Sequence, residues 1–425
     1  MSVGAGHFFQ RKQKSGRVSG RLTFHVQRAA ILQPGARWTR VGFSDTYLRL
    51  EKLILSLQRL FSGLPLPKRK RTTAALPWGT ESPNLDFLRA NAVLLVLLFH
   101  VLAFFGIRKI GPLDLESMGM FGLLSFYVHT TFVLMLSLER QLAKFGPQSL
   151  FLLFMARRFF RVYPLSIFIV AIIVLFRLPL AGHPWSMHYF HALGKLDIIS
   201  NFLLAQNITS SEPVEGPLWS LSYEVQIYLF LPALFLIAKK VKSPWTLVIG
   251  WGLLAIPIFL LKRAGYGQVM QYVPCFLPGI VAYKFSKQVH PRRAFWGWPV
   301  LLWSLAGLFG LVGRLGMGWL ICLMIGMALP QFTDLKNPAV QRASYLISKY
   351  SYGFYLSHYF CEWLSFTKLR YLPTGAQWIT FLVTVTVIPI LLYHALEAPM
   401  MHVGKKLTEA QRNYVRNGLL ASRAA

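Results

Sequence analysis

Acidic residues are scarce in this chain. Only 15 Asp and Glu stand among 425 residues, against 45 Lys and Arg, for a formal net charge of +30. All charged residues together make up 14%, where a soluble domain carries about 25%. A large water-facing surface is therefore not expected. Cysteine is nearly missing too: Cys275, Cys322 and Cys361 are scattered and odd in number, with no Cys-x-x-Cys pair. That pattern argues against a disulfide framework and a zinc site, and reads as small core residues. No metal ligand set is expected. No repeat of 20 to 50 residues is visible, and no Gly-x-Ser-x-Gly or Cys-His arrangement offers a protein nucleophile. No apolar signal-peptide core follows the basic start, so a cleaved leader is not expected.

Apolar residues fill the space. The chain is 54% hydrophobic with 33 Phe, 17 Tyr and 12 Trp, and its mean hydropathy is +0.46. Several runs approach twenty apolar residues, the length of a bilayer-crossing helix. They are continuously apolar rather than alternating, which excludes a membrane barrel. The expected fold is all-α and polytopic, with about ten transmembrane helices near 85–106, 118–138, 162–179, 217–238, 244–261, 267–283, 295–313, 316–331, 351–366 and 376–394. Keeping the basic loops on the cytoplasmic side puts both termini in the cytoplasm. Ile198 to Ile208 is expected as a short extracytoplasmic or re-entrant piece. Residues 1–81 form a basic extension, 82–405 the membrane domain and 406–425 a basic cytoplasmic tail. Residues 1 to 80 hold 15 Lys and Arg against Asp45 and Glu51. Such an arm suits anionic lipid or disorder, and lacks the patterning of a nucleic-acid binder.

Polar residues inside apolar helices carry functional information, because ionisable groups are costly there. His100 sits near the far end of the apolar run from Ala92 to Phe105, with Asp86 and Arg89 at its entrance. Arg89 and His100 are eleven positions apart, three helical turns or roughly 16 Å, on nearly one face. Arg158 and Arg161, three apart at the opening of the third expected helix, share a face and suit a phosphate or carboxylate. Ser220, Glu224 and Tyr228 recur every four residues and form a polar stripe on an otherwise apolar helix. A buried carboxylate needs partners, and Glu224 can orient or ionise a histidine.

Together these segments resemble the acyltransferase 3 family of integral-membrane enzymes. Leu85-Asp86-Phe87-Leu88-Arg89-Ala90 with Val93 to His100 looks like the family opening. Arg158-Phe159-Phe160-Arg161 matches its paired-arginine element, and Trp219 to Tyr228 its Ser-Glu-Tyr stretch. Ser351-Tyr352-Gly353-Phe354-Tyr355-Leu356-Ser357-His358 is similar to the family's late helix, and Leu396-Glu397-Ala398-Pro399-Met400 to its closing segment. Phe87 stands where the family usually has glycine, Val225 where a second acidic residue is common. The second helix carries His129 in place of a phenylalanine-rich run.

The resemblance implies O-acylation of a cell-surface carbohydrate or lipid-linked sugar, with acyl-CoA (acetyl by default) as co-substrate and no bound cofactor. A bacterial cytoplasmic membrane is the expected location. Such transfer needs a base for the hydroxyl proton and donors for the developing oxyanion. His100 is expected as base, oriented by Glu224 at comparable depth, with Arg89 organising the pocket. Arg158 and Arg161 are expected on the donor's phosphates. Asp86, Ser220, Tyr228, His129 and His358 are expected to support them, and Glu397 to pair with a basic residue. The competing reading is a proton-coupled transporter or flippase, for which inverted repeats are lacking. A non-catalytic scaffold would leave the Arg, His and Glu set unexplained.

Overall fold

Helix signals in the sequence are met by helices. In a computed structural model describing residues 82–178, 194–266, 268–313 and 315–410, Ser82 caps α1 (Pro83–Phe104), its hydroxyl accepting from the Asn84 amide. Pro83 opens the helix, a position where its missing N–H is harmless. The Asn84 side chain donates to the Thr333 carbonyl at 3.1 Å and accepts from the Leu335 amide at 3.0 Å. The start of α1 is thereby pinned to a distant part of the chain. A hairpin of two two-residue strands, Lys109–Ile110 and Leu113–Asp114, leads to α2 (Leu115–Phe145). Asp114 caps that helix by accepting from the Ser117 amide.

There follow α3 (Leu150–Phe176), the short α4 (Lys195–Leu203) and α5 (Gln206–Thr209), then α6 (Leu218–Lys240) and α7 (Pro244–Arg263). The second half comprises α8 (Val273–Gln288), α9 (Gly297–Val312), α10 (Leu315–Ala328), α11 (Pro338–Glu362) and α12 (Thr374–Ala410). A π-turn, Trp363–Lys368, follows α11, and another, Tyr393–Glu397, interrupts α12. Such turns occur often at functional positions.

Each of the ten expected spans overlaps a helix, and the 198–208 segment falls on the two short helices α4 and α5. Six helices among the described residues are long and apolar enough to cross a bilayer: α1, α2, α3, α6, α7 and α12. The chain is an all-α polytopic membrane protein. Three boundaries differ from expectation. α3 starts at Leu150 rather than near 162, because Leu150 to Met155 are apolar and continue the helix through the arginines. α11 starts at Pro338, capped by Asn337, whose side chain accepts from the Ala339 and Val340 amides. α12 runs on to Ala410, past the expected start of the tail. The extension before residue 82 and the end of the tail lie outside the described residues.

The core lies where α2 packs between α1 and α8. At the α1–α2 crossing a Cβ on Gly122 would sit 2.5 Å from the Ala92 carbonyl oxygen, so only glycine permits this approach. Small residues at such crossings let membrane helices come close. The three cysteines are free and buried.

Candidate active site

Two helix registers build the site. α1 and α11 run parallel: Arg89 Nε donates to Ser351 Oγ at 2.6 Å, and His100 Nδ1 lies 2.9 Å from Tyr359 Oη. α6 runs antiparallel to both. Gly216, just before it, packs on Tyr359, where a Cβ would lie 2.8 Å from the ring. One turn on, Ser220 Oγ is 2.5 Å from Tyr355 Oη. Another turn on, Glu224 and Tyr352 line the same two cavities.

The first cavity, about 60 Å³, has charged side chains set among apolar walls. Arg89, His129, Arg158, Arg161, Glu224 and Tyr228 all reach it. The Glu224 carboxylate accepts a short hydrogen bond from the Tyr228 hydroxyl, one turn on along the same stripe. Arg89 stacks on Phe126, 5.1 Å from the ring centroid, and has Glu224 and Asp86 as its nearest anions. Arg161 is neutralised by an ion pair with Glu397 and also touches Met401 Sδ at 3.3 Å. Arg158 differs. Its Nε is buried without a hydrogen-bond partner, while its guanidinium lies 5.9 Å from the Phe154 ring. His129 Nδ1 is likewise buried and unpartnered.

A smaller cavity of about 20 Å³ continues from Glu224 past Tyr127 to Ser220 and Tyr355. Tyr127 donates to the Ser220 carbonyl at 3.2 Å, and Tyr355 to the Pro217 carbonyl at 3.2 Å. Beyond Tyr355 stand two imidazoles. His358 and His100 have ring centroids 5.1 Å apart, and Tyr355 is 6.1 Å from His358. His358 Nδ1 is 2.8 Å from the Tyr355 carbonyl and 3.3 Å from that of Phe354. Carbonyls only accept, so Nδ1 carries the proton and Nε2 the lone pair. That Nε2 is buried with no partner.

The expected residues therefore fall into two groups. Arg89, His129, Arg158, Arg161, Glu224 and Tyr228 meet in one cavity, with Ser220 in the next. His100 is not among the residues lining either; its ring meets Tyr359 and His358 instead. Comparable depth for His100 and Glu224 was inferred by counting turns from the two membrane faces. The actual register sets Glu224 level with Tyr352 and Arg89, some two turns from Tyr359. The paired arginines are likewise not at a helix opening but well inside α3. Tyr355, Tyr359 and Glu362 escaped the sequence reading, although Tyr352, Tyr355, Tyr359 and Glu362 recur at helical spacing along one face.

Residues 82–394 match the family model described as an acyltransferase domain, well over half of the chain. The chain belongs to the acyltransferase 3 family. Its membrane-length helices make it an integral-membrane acyltransferase. No curated protein and no solved structure matches this chain closely enough to count as similar. Within this family member, Phe87 and Val225, the two departures from the usual pattern, pack against the hydrophobic core. Of the chain-specific changes, only His129 enters the first cavity.

Proposed function

We propose that this acyltransferase moves an acyl group, acetyl by family resemblance, from acyl-CoA to a hydroxyl of a carbohydrate or lipid-linked sugar at the cell surface. The observation that carries this reading is the pair of cavities running from Arg158, whose Nε has no hydrogen-bond partner, past Glu224 to Ser220 and Tyr355, with the His358–His100 pair next beyond Tyr355. Cations at one end suit the phosphates of a coenzyme A thioester. Imidazoles at the other suit a hydroxyl that must lose its proton.

Ten membrane crossings with cytoplasmic ends fit the helix directions. α1 and α11 run parallel, and α6 runs against them, as the first, ninth and fourth of ten alternating spans require. Arg89, Arg158 and Arg161 then face the cytoplasmic half and His100 the outer half, in a cytoplasmic membrane of bacterial type.

In this reading Arg158 holds donor phosphate, while Arg161 is kept in place by Glu397. Arg89 neutralises Glu224 and organises the cavity, with Asp86, Tyr228 and His129 around it. The hydroxyl proton passes to Nε2 of His358 as the hydroxyl oxygen attacks the thioester carbon. His100, bonded to Tyr359, lies against that ring and shares the charge. Ser220 and Tyr355, bonded to each other and to the Pro217 carbonyl, turn one hydroxyl from that carbonyl to the thioester oxygen as it becomes an oxyanion. Collapse breaks the C–S bond, forms the ester and returns the proton to the thiolate.

The test is transfer of label from radiolabelled acetyl-CoA to envelope glycans by membranes carrying the chain, at matched expression of wild type and His100→Ala. Label on glycan in the wild type and its loss in the variant are expected. Glycan left unlabelled by wild-type membranes, with no coenzyme A released across donors of increasing chain length, would sink acyl transfer.

A further inference from the structure

A third cavity lies on the other side of α11, between it, α3 and α12. It holds about 130 Å³ and is walled by Phe168, Ile172 and Ile173 of α3, Phe360 of α11, and Ile388 and Leu392 of α12. An engineered cavity of about 150 Å³ with similar walls stays dry and takes a benzene-sized molecule. Phe168 is 41% exposed on the apolar flank of α3, so the cavity opens sideways toward lipid.

Two polar groups break this apolar lining, the Glu215 carboxylate and the Ser357 hydroxyl. Both residues are buried, at 2% and 1% exposure. Both carboxylate oxygens lack a hydrogen-bond partner, and Ser357 Oγ has only the weakly bonding Cys361 thiol beside it. Glu215 stands in the loop before α6, where burial holds its carboxyl well above the usual carboxylate range. Buried groups left unsatisfied in this way ask for an explanation, and the transfer steps above use neither of them. Their neighbours are informative. Gly216 packs on Tyr359, which bonds His100, and His358 follows Ser357 in the chain. Each polar residue of the cavity is thus one position along the chain from a residue of the imidazole cluster or its contact, although neither imidazole lines the cavity itself.

We propose that this cavity binds the acyl acceptor, an amphiphile drawn from the membrane, with its aliphatic part between α3 and α12 and a head-group hydroxyl on Glu215 and Ser357. A neighbouring hydroxyl of the same head then meets the imidazoles, loses its proton and forms the ester as before. The inference rests on the acyl-transfer reading and names the acceptor class within it: a chain-bearing polyol rather than a free sugar.

The experiment uses the full chain in nanodiscs. Transfer from radiolabelled acetyl-CoA is compared for glucose and n-octyl glucoside, and an octyl glucoside with a diazirine in its tail is photocrosslinked and mapped by peptide mass spectrometry. Expected are a KM at least tenfold lower for the octyl compound and crosslinks on residues 168–173 or 356–360. Ile172→Trp and Phe168→Trp, two independent ways of filling the cavity, remove both effects. Leu229→Trp on the exposed face of α6 leaves both in place. Glu215→Ala raises the KM for octyl glucoside, and Glu215→Gln, which keeps the hydrogen-bonding atoms, restores most of it. Crosslinks elsewhere, or a chain preference that survives both tryptophans, overturn the site whatever the catalytic result. Crosslinks in the cavity with no acetyl-CoA consumed on any acceptor leave an amphiphile site but remove its role as acceptor, and the failure is then that of acyl transfer.

Discussion

The hydroxyl of Tyr359 lies 2.9 Å from Nδ1 of His100 and ties α11 to α1 beyond the Arg89–Ser351 bond, about three turns on along α1 and about two along α11. Two residues 259 positions apart in sequence are thereby held ring to ring, with His358 against both.

Tyr359→Phe keeps the ring packing and removes one hydrogen bond of about 1 kcal/mol. That amounts to a loss of less than about tenfold in rate. His358→Gln removes the free lone pair, and kcat is expected to fall by about 10² to 10⁴ while KM for acetyl-CoA stays near wild type. Steady-state kinetics on purified protein separates the two effects. An unchanged kcat in His358→Gln would show that another group takes the proton.

Arg89→Lys is not conservative here, since Nε donates to Ser351 and the planar group stacks on Phe126. Removing the cation altogether leaves Glu224 with the Tyr228 hydroxyl and the more weakly acting Arg158 and Arg161. Arg89→Ala is expected to destabilise the protein by about 3–5 kcal/mol. Adding Glu224→Gln to it recovers part of that loss. Thermal unfolding of the four proteins in one detergent gives the coupling, and strict additivity would deny the pair.

The two arginines of α3 separate in the same way. Arg161→Ala orphans Glu397, so stability falls by about 3–5 kcal/mol with a secondary loss of rate. Arg158 makes no such ion pair, and Glu224 beside it keeps Arg89 and the Tyr228 hydroxyl when Arg158 is removed. Arg158→Ala is expected to unfold near the wild-type temperature while KM for acyl-CoA rises about tenfold, roughly 1.4 kcal/mol. Equal effects at both positions would contradict the division of roles.

Glu215 gives a pH-dependent stability. Its carboxyl ionises near 4.3 when unfolded and well above that when folded, through burial. Between these values the unfolded chain releases a proton that the folded one keeps, so stability falls as pH rises. Glu215→Gln is expected to unfold at a temperature near wild type at pH 4 and at a higher one at pH 7. Melting curves across that range, with no acceptor present, check it. A difference that is flat with pH would place the carboxyl in water.

Much of the site was legible from spacing. Ser220, Glu224 and Tyr228 were readable as one stripe because a helix repeats every 3.6 residues, and Glu397 as the partner of a basic residue. Arg158 and Arg161 were recognised as a pair, but read at a helix mouth, because a run of cations resembles a loop boundary when the apolar residues before it are overlooked. Tyr355 and Tyr359 were missed because aromatic residues are common in membrane helices, and only their partners distinguish them. Glu215 lies in a loop with no periodicity to mark it.

The order of apolar runs was enough to define an all-helical membrane protein, since run length and helical spacing are local properties, and acyl transfer came from the resemblance of its motifs to a family. Which imidazole meets which partner was decided in three dimensions. The close crossing at Gly122, the contact of Gly216 with Tyr359 and the antiparallel register of α6 on α11 set Glu224 beside Arg89 and His100 beside His358. Such registers arise from side chains fitting across helices far apart in the chain, and no local pattern contains them.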